Sequence, residues 1–250
     1  MTPAGIVRPF VALAALAVRV PAWLLAPAGS ERARRLERSG LAALTRYLGI
    51  ETVIAGEPVR GGTLFVSNHI SWADIPVYGG VLGADFVAKA EVAGWPLLGR
   101  MARRMAPIFV ARERRGTSGM QAEAIRARLR EGRDVLLFAE GTTSDGEAVL
   151  PFRSTLFAAA DAAQHVQPVA LLWLAADGSA PTPERLREVA WVGDDSLLQG
   201  VFSLAQRRTR ALLKVLPPLD PAIFADRKAL ALAAREAIVT AYAAALNRSR

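Results

Sequence analysis

Apolar residues dominate positions 6 to 26 of the chain, in a run of Ala, Val and Leu interrupted by Arg19, Pro21 and Trp23. A clean bilayer span needs about 20 uninterrupted apolar residues. The segment therefore predicts a helix that lies in or dips into one leaflet, with Trp23 at the interface and Arg19 snorkelling. The small residues of 12–17 would also suit a cleavable signal. From Ser30 to Leu48 the period changes, with Leu36, Leu41, Leu44 and Leu48 near one face and arginines opposite. This amphipathic helix is either a surface helix of the domain or a second membrane contact. The two helices form an N-terminal hairpin over residues 1–50.

Past Glu51 the pattern alternates. Short runs rich in β-branched and aromatic residues predict strands at 52–55, 64–67, 86–88, 108–110, 135–138, 169–174, 189–192 and 211–216. Helical spacing predicts helices from Ile75, around 95–105, from Ser154 and from Asp226. A further helix opens on a Ser118-x-x-Gln121 capping box and closes at Gly132. The stretch Asp-Gly-Ser-Ala-Pro-Thr-Pro at 177–183 reads as a flexible connection. The alternation implies one α/β domain over residues 51–250, with a mostly parallel or mixed sheet flanked by helices.

Composition narrows the function classes. A chain of 250 residues with 52% hydrophobic residues supports a single well-filled core. Cysteine is absent, which removes disulfides, thiolate nucleophiles and thiolate metal sites. The net charge of +8 asks for an anionic partner. Nucleic acid fits poorly, because the arginines line no recognition helix and neither zinc-finger spacing nor an aromatic RNA-binding strand is present. An anionic membrane surface fits better, since the basic cluster at 31–38 directly follows the most apolar segment.

The candidate chemistry sits where two predicted strands end. The run Thr63-Leu64-Phe65-Val66-Ser67 is opened by Gly61-Gly62 and closed by Asn68, and it leads into His69-Ile70-Ser71-Trp72-Ala73-Asp74. A neutral imidazole held by a carboxylate can take a proton from a hydroxyl near neutral pH, so His69 and Asp74 form a candidate general base. A hydrogen-bonded structural pair is the alternative. The strand at 135–138 runs into Ala139-Glu140-Gly141-Thr142-Thr143-Ser144-Asp145-Gly146, a polar turn whose N–H groups and hydroxyls suit an anionic or polyhydroxyl ligand. A zinc site fails on inventory, since His165 is the only other histidine and no thiolate is available. No Gly-x-Ser-x-Gly elbow supports an acyl-serine route.

Four blocks in order resemble the glycerolipid acyltransferase family: Asn68-His69-x4-Asp74, the strand ending 107–112 in Arg112, Phe138-Ala139-Glu140-Gly141-Thr142-Thr143, and Val166-Gln167-Pro168-Val169. The resemblance implies a glycerol-3-phosphate acyltransferase-like fold with a membrane-seating helical pair. It implies transfer of a fatty acyl chain from an acyl carrier protein or coenzyme A thioester to a lysolipid hydroxyl, with no bound cofactor and no metal. His69 and Asp74 would be the catalytic pair, and Asn68, Arg112, Glu140, Gly141, Thr142 and Thr143 would shape the acceptor site. Arg112 is the expected anion clamp, because a guanidinium fork matches planar oxyanions. Thr143 departs from the family's arginine, a position associated with the acceptor phosphate, and Arg153 is the candidate to restore that charge. The leading expectation is 1-acyl-glycerol-3-phosphate as acceptor, acylated at the cytoplasmic face of the inner membrane by a monotopic or single-helix-anchored enzyme. The variant turn also resembles lyso-ornithine lipid acyltransferases, which makes acylation of lyso-ornithine lipid the alternative. A non-catalytic basic lipid-binding protein is the remoter one.

Overall fold

A computed structural model of the protein describes residues 2–89, 104, 108–110 and 117–247. Two helices open the chain, α1 (Pro3–Leu25) and α2 (Glu31–Leu48). The Ser30 hydroxyl caps the start of α2, and Gly49 ends it at φ 89°, a left-handed conformation that costs glycine nothing. Helix α1 is long and apolar enough to cross a membrane, and little of it is buried. Trp23, expected at the membrane interface, is packed within the protein. It is 6% exposed, donates its indole N–H to Glu37 at 2.8 Å and lies under the Arg104 guanidinium. The indole thus joins α1 to α2, because its N–H finds a carboxylate there. Arg19 turns back on its own helix to donate to the Ala15 carbonyl.

The remaining elements are β1 (Ile50–Ala55), β2 (Thr63–Ser67), α3 (Asp74–Val81), β3 (Asp85–Lys89), β4 (Ile108–Val110), α4 (Thr117–Arg130), β5 (Val135–Phe138), β6 (His165–Ala175), α5 (Pro183–Val189), α6 (Leu197–Ala205), β7 (Thr209–Val215) and α7 (Arg227–Asn247). The strands form a sheet ordered β1-β7-β6-β2-β5-β3-β4. Neighbours pair parallel except β6 and β7, so the sheet is mixed, as the alternation implied. All five β2 residues are buried, as a central strand covered on both faces requires. Phe65 and Leu136 enter the core on one side of the sheet, with α2, α3 and α6. Leu64, Val66, Val135 and Leu137 enter the other, with α4. Helix α7 contributes to both, through Ile238 and Ala234. Asp134 accepts from the backbone N–H groups of Gly61, Gly62 and Thr63 and so fixes where β2 begins.

Helices α2 and α3 cross closely. A Cβ on Gly80 would stand 3.0 Å from the Ala42 backbone, so any larger residue there would push the two helices apart by a few tenths of an ångström.

Two expectations are corrected. The segment from Ser154 is a 3₁₀ helix, Ser154–Ala162, tightened over a short apolar surface around Phe157. The run at 189–192 is not a strand. Thr182 caps a helix with Pro183 in its first turn, so Val189 ends α5 and is buried by helix packing. Helix α6, which follows Ser196, was not expected. The helix expected at 95–105 lies outside the described residues.

Candidate active site

The register of β2 and β5 brings the two polar turns together. Ser67 stands opposite Phe138, so both strands end at one level. His69 and Glu140 each follow their strand end by two residues. Three backbone bonds close the junction: Ala139 N–H to Ser67 O at 2.9 Å, Ser144 N–H to His69 O at 2.8 Å, and Trp191 N–H to Ile70 O at 2.9 Å. The Ser71 hydroxyl donates to the Val189 carbonyl at 2.7 Å. The turn that carries His69 is thus held by the turn after β5 and by the end of α5.

Asp74 is wholly buried at the start of α3. Its Oδ2 accepts from His69 Nδ1 at 2.7 Å and from the N–H groups of Ile70 and Ser71 at 2.7 and 2.9 Å. Its Oδ1 accepts from Trp173 Nε1 at 2.9 Å. Four donors offset the cost of burying a charge. A carboxylate only accepts, so Nδ1 carries the proton in this contact, and Nε2 makes no hydrogen bond among the described residues. The imidazole stacks on Phe138 with centroids 3.9 Å apart and planes 10° apart, and its side chain is 16% exposed. It is therefore held in tautomer by Asp74, in plane by Phe138, and open at Nε2.

Glu140 is 2% exposed, and neither carboxylate oxygen has a hydrogen-bond partner among the described residues. Burial pushes its carboxyl up to about 8. The backbones of His69 and Leu150 pull the other way without closing a hydrogen bond, while the Asp74 charge adds to the rise. Glu140 is thus a neutral acid near pH 7, walled in beside the dyad. Next to it Gly141 has φ 70°, and the Arg153 side chain crosses where a Cβ would be, 2.9 Å from Cδ. Arg153 is held there by its own N–H, which donates to Ala139 O at 2.9 Å. Thr142 and Thr143 are half-buried, and Arg153 is exposed.

Residues 45–172 match the family model described as Acyltransferase. The chain belongs to the acyltransferase family. A lyso-ornithine lipid O-acyltransferase of Pseudomonas aeruginosa is 36% identical over 82% of this chain and 77% of its own. A 1-acyl-sn-glycerol-3-phosphate acyltransferase of Neisseria gonorrhoeae is 36% identical over 54% of this chain and 53% of its own. The crystal structure of the 1-acyl-sn-glycerophosphate (LPA) acyltransferase, PlsC, from Thermotoga maritima superposes with a TM-score of 0.69 over 98% of this chain and 95% of that one. At 20% identity that likeness establishes the fold.

In this acyltransferase Asn68 is buried: its amide donates to Leu171 O and accepts from Leu171 N–H, both at 2.9 Å, so it ties the end of β2 to β6. Arg112 lies outside the described residues. His165 begins β6 beside Thr63, at the opposite end of β2 from His69. Trp173 and Phe138 were not anticipated as site residues. A tryptophan inside an apolar buried strand must find an acceptor for its N–H, and that need is the one signal in the sequence that could have drawn attention to Trp173, without naming Asp74 as the acceptor.

Proposed function

We propose that the protein moves a fatty acyl group from an acyl thioester to the free hydroxyl of a lysolipid, at the cytoplasmic face of the inner membrane. The observation that carries this reading is the His69–Asp74 contact of 2.7 Å with Nε2 left open. His69 Nε2 takes the hydroxyl proton as the substrate oxygen attacks the thioester carbonyl. The imidazolium that forms is balanced by Asp74. Collapse of the tetrahedral intermediate expels the thiolate, which recovers the proton from His69. The nucleophile belongs to the substrate, so no enzyme side chain is acylated. The donor is a thioester of acyl carrier protein or coenzyme A, and residues 1–50 seat the domain of 51–250 on the membrane.

Two acceptors fit this chemistry. Lyso-ornithine lipid is supported by Thr143 in place of the family's arginine and by the breadth of the Pseudomonas match. A 1-acyl-glycerol-3-phosphate acceptor keeps a cation in Arg153, which crosses Gly141 and can meet its phosphate as it can the carboxylate of an ornithine headgroup. Purified enzyme assayed for thiol release with each lysolipid tests both. His69→Ala should lower the rate by about 10²- to 10⁴-fold with either acceptor. A folded His69→Ala variant that keeps most of its activity refutes the mechanism.

A further inference from the structure

Helix α6 presents apolar residues to solvent and holds no charged residue. Leu198 is 67% exposed, and Val201 and Phe202 are half-buried. The helix is also bound to the N-terminal end of α1. Arg8 donates to the Ala205 carbonyl at 2.8 Å, the Thr2 N–H donates to Gln206 Oε1 at 2.9 Å, and the rings of Phe10 and Phe202 meet edge-on at 6.1 Å. Along α1 the neighbouring outward residues are themselves apolar, with Ile6 at 43%, Val7 at 55%, Phe10 at 59% and Leu13 at 64% exposure. The two helices therefore share one continuous apolar surface, which is larger than the scattered single residues a soluble face shows. At the end of α6, Arg207 and Arg208 are exposed. Of the acids before it, Asp194 is exposed, Asp195 is held by Arg187 at 2.8 Å, and Glu188 is held by Arg185 at 2.7 Å with Arg207 at 3.9 Å, so Arg208 is the less engaged of the two cations.

We propose that α6 is a second membrane-inserting element, whose partner is the acyl region of an anionic bilayer, with Arg207 and Arg208 at the headgroups. The inference rests on the reading of the protein as a membrane-seated lipid enzyme. It gives the seat two contacts separated by most of the chain, and a basic rim that complements anionic lipid. It also ties membrane docking to the reaction centre. Gly200 of α6 packs against Trp72, which lies in the catalytic turn between His69 and Asp74; a Cβ on Gly200 would stand 3.1 Å from Trp72 Nε1. A bilayer that holds α6 thereby sets the height of the catalytic turn above the lipid, where a lysolipid hydroxyl emerges.

The chain contains no cysteine, so single thiols can be introduced in the full-length protein and labelled with an environment-sensitive fluorophore. Leu198→Cys reports α6, Leu13→Cys reports α1, and Met120→Cys on α4, 69% exposed, is the control. With vesicles of equal parts phosphatidylethanolamine and phosphatidylglycerol, labels at 198 and 13 should shift to the blue and be quenched by nitroxide on the acyl chains, while the label at 120 should stay in water. Insertion at 13 without insertion at 198 overturns this inference and leaves membrane seating through α1 standing. Insertion at neither refutes the membrane reading together with the inference. A blue shift at 198 that grows with protein concentration in the absence of lipid assigns the face to a second copy of the chain and overturns the inference. Leu198→Glu should weaken vesicle partitioning by about tenfold, with activity on detergent-dispersed lysolipid unchanged; equal partitioning of variant and parent overturns the inference.

Discussion

Trp173 Nε1 donates to Asp74 Oδ1 at 2.9 Å, on the oxygen that His69 does not use. The Asp74 carboxylate is thus fixed from both sides, by β6 and by the turn that carries the histidine. Trp173→Phe removes the only side-chain donor to Oδ1 among the described residues and leaves that oxygen unsatisfied in the core. A loss of about 1–3 kcal/mol in stability follows from the unsatisfied acceptor. Because Trp173 is buried and its indole N–H is spent on Asp74, its expected effect is on positioning: the turnover number should fall with little change in the Michaelis constant. Denaturant midpoints and initial rates of the purified variant check both. A raised Michaelis constant at constant turnover would assign Trp173 to substrate binding.

Glu140 gives the protein a pH-dependent stability with a definite sign. Its carboxyl is raised from 4.5 in the free side chain to about 8 in the fold, chiefly by burial. Between those values the folded state binds a proton that the unfolded chain releases. Stability therefore falls as pH rises through that window and levels off above about 8. Glu140→Gln keeps the shape and cannot ionise, so it should lose this slope and gain on the parent protein by an amount on the order of a few kcal/mol between pH 5 and pH 8.5. Urea midpoints of both proteins at the two pH values measure it. Parallel pH dependences would show that Glu140 is already ionised in the fold.

Membrane seating through α1 is tested better by point changes than by truncation. Removing residues 1–50 would open the core, since Ala12 and Leu48 are each 1% exposed. Leu13 and Val18 are 64% and 79% exposed, so Leu13→Glu with Val18→Glu should leave the melting temperature nearly unchanged. Partitioning into anionic vesicles should drop by at least about tenfold, because two side chains no longer transfer favourably into the acyl region. Sedimentation with vesicles gives the result directly.

Short apolar runs bounded by turn residues revealed the strands that build the centre of the sheet. Those in the middle, 64–67 and 135–138, are continuous apolar runs that only a doubly covered strand explains, and their polar ends gave the dyad and its neighbouring turn. The failures lie where local pattern competes with packing. Val189 and Ala190 are buried at the end of a helix that Thr182 and Pro183 start, and an apolar pair gives no period to separate that from a strand. Asn68 looked like a ligand group, yet its hydrogen bonds are to Leu171, over a hundred residues along the chain. Trp23 looked interfacial for the same reason: the sequence shows its amphipathic ring and hides the Glu37 that receives its N–H.

Arg153 and Thr143 together should decide the acceptor. Arg153 crosses Gly141 beside the dyad, where it can meet either a phosphate or the carboxylate of an amino-acid headgroup. Arg153→Gln should therefore raise the Michaelis constant for both lysolipids by about 10- to 100-fold, the equivalent of a lost charge-assisted contact of about 1.5–3 kcal/mol. Thr143→Arg adds a second cation at the half-buried position where the family carries one. A phosphate dianion gains from it, whereas the ornithine headgroup brings an ammonium that the new guanidinium repels. The ratio of kcat/KM for lysophosphatidate over lyso-ornithine lipid should rise by about tenfold in this variant. Side-by-side assays of parent and both variants give the answer. If Arg153→Gln changes neither Michaelis constant, the acceptor headgroup lies away from the Gly141 turn. If Thr143→Arg leaves the ratio unchanged, residue 143 does not choose between the two lipids.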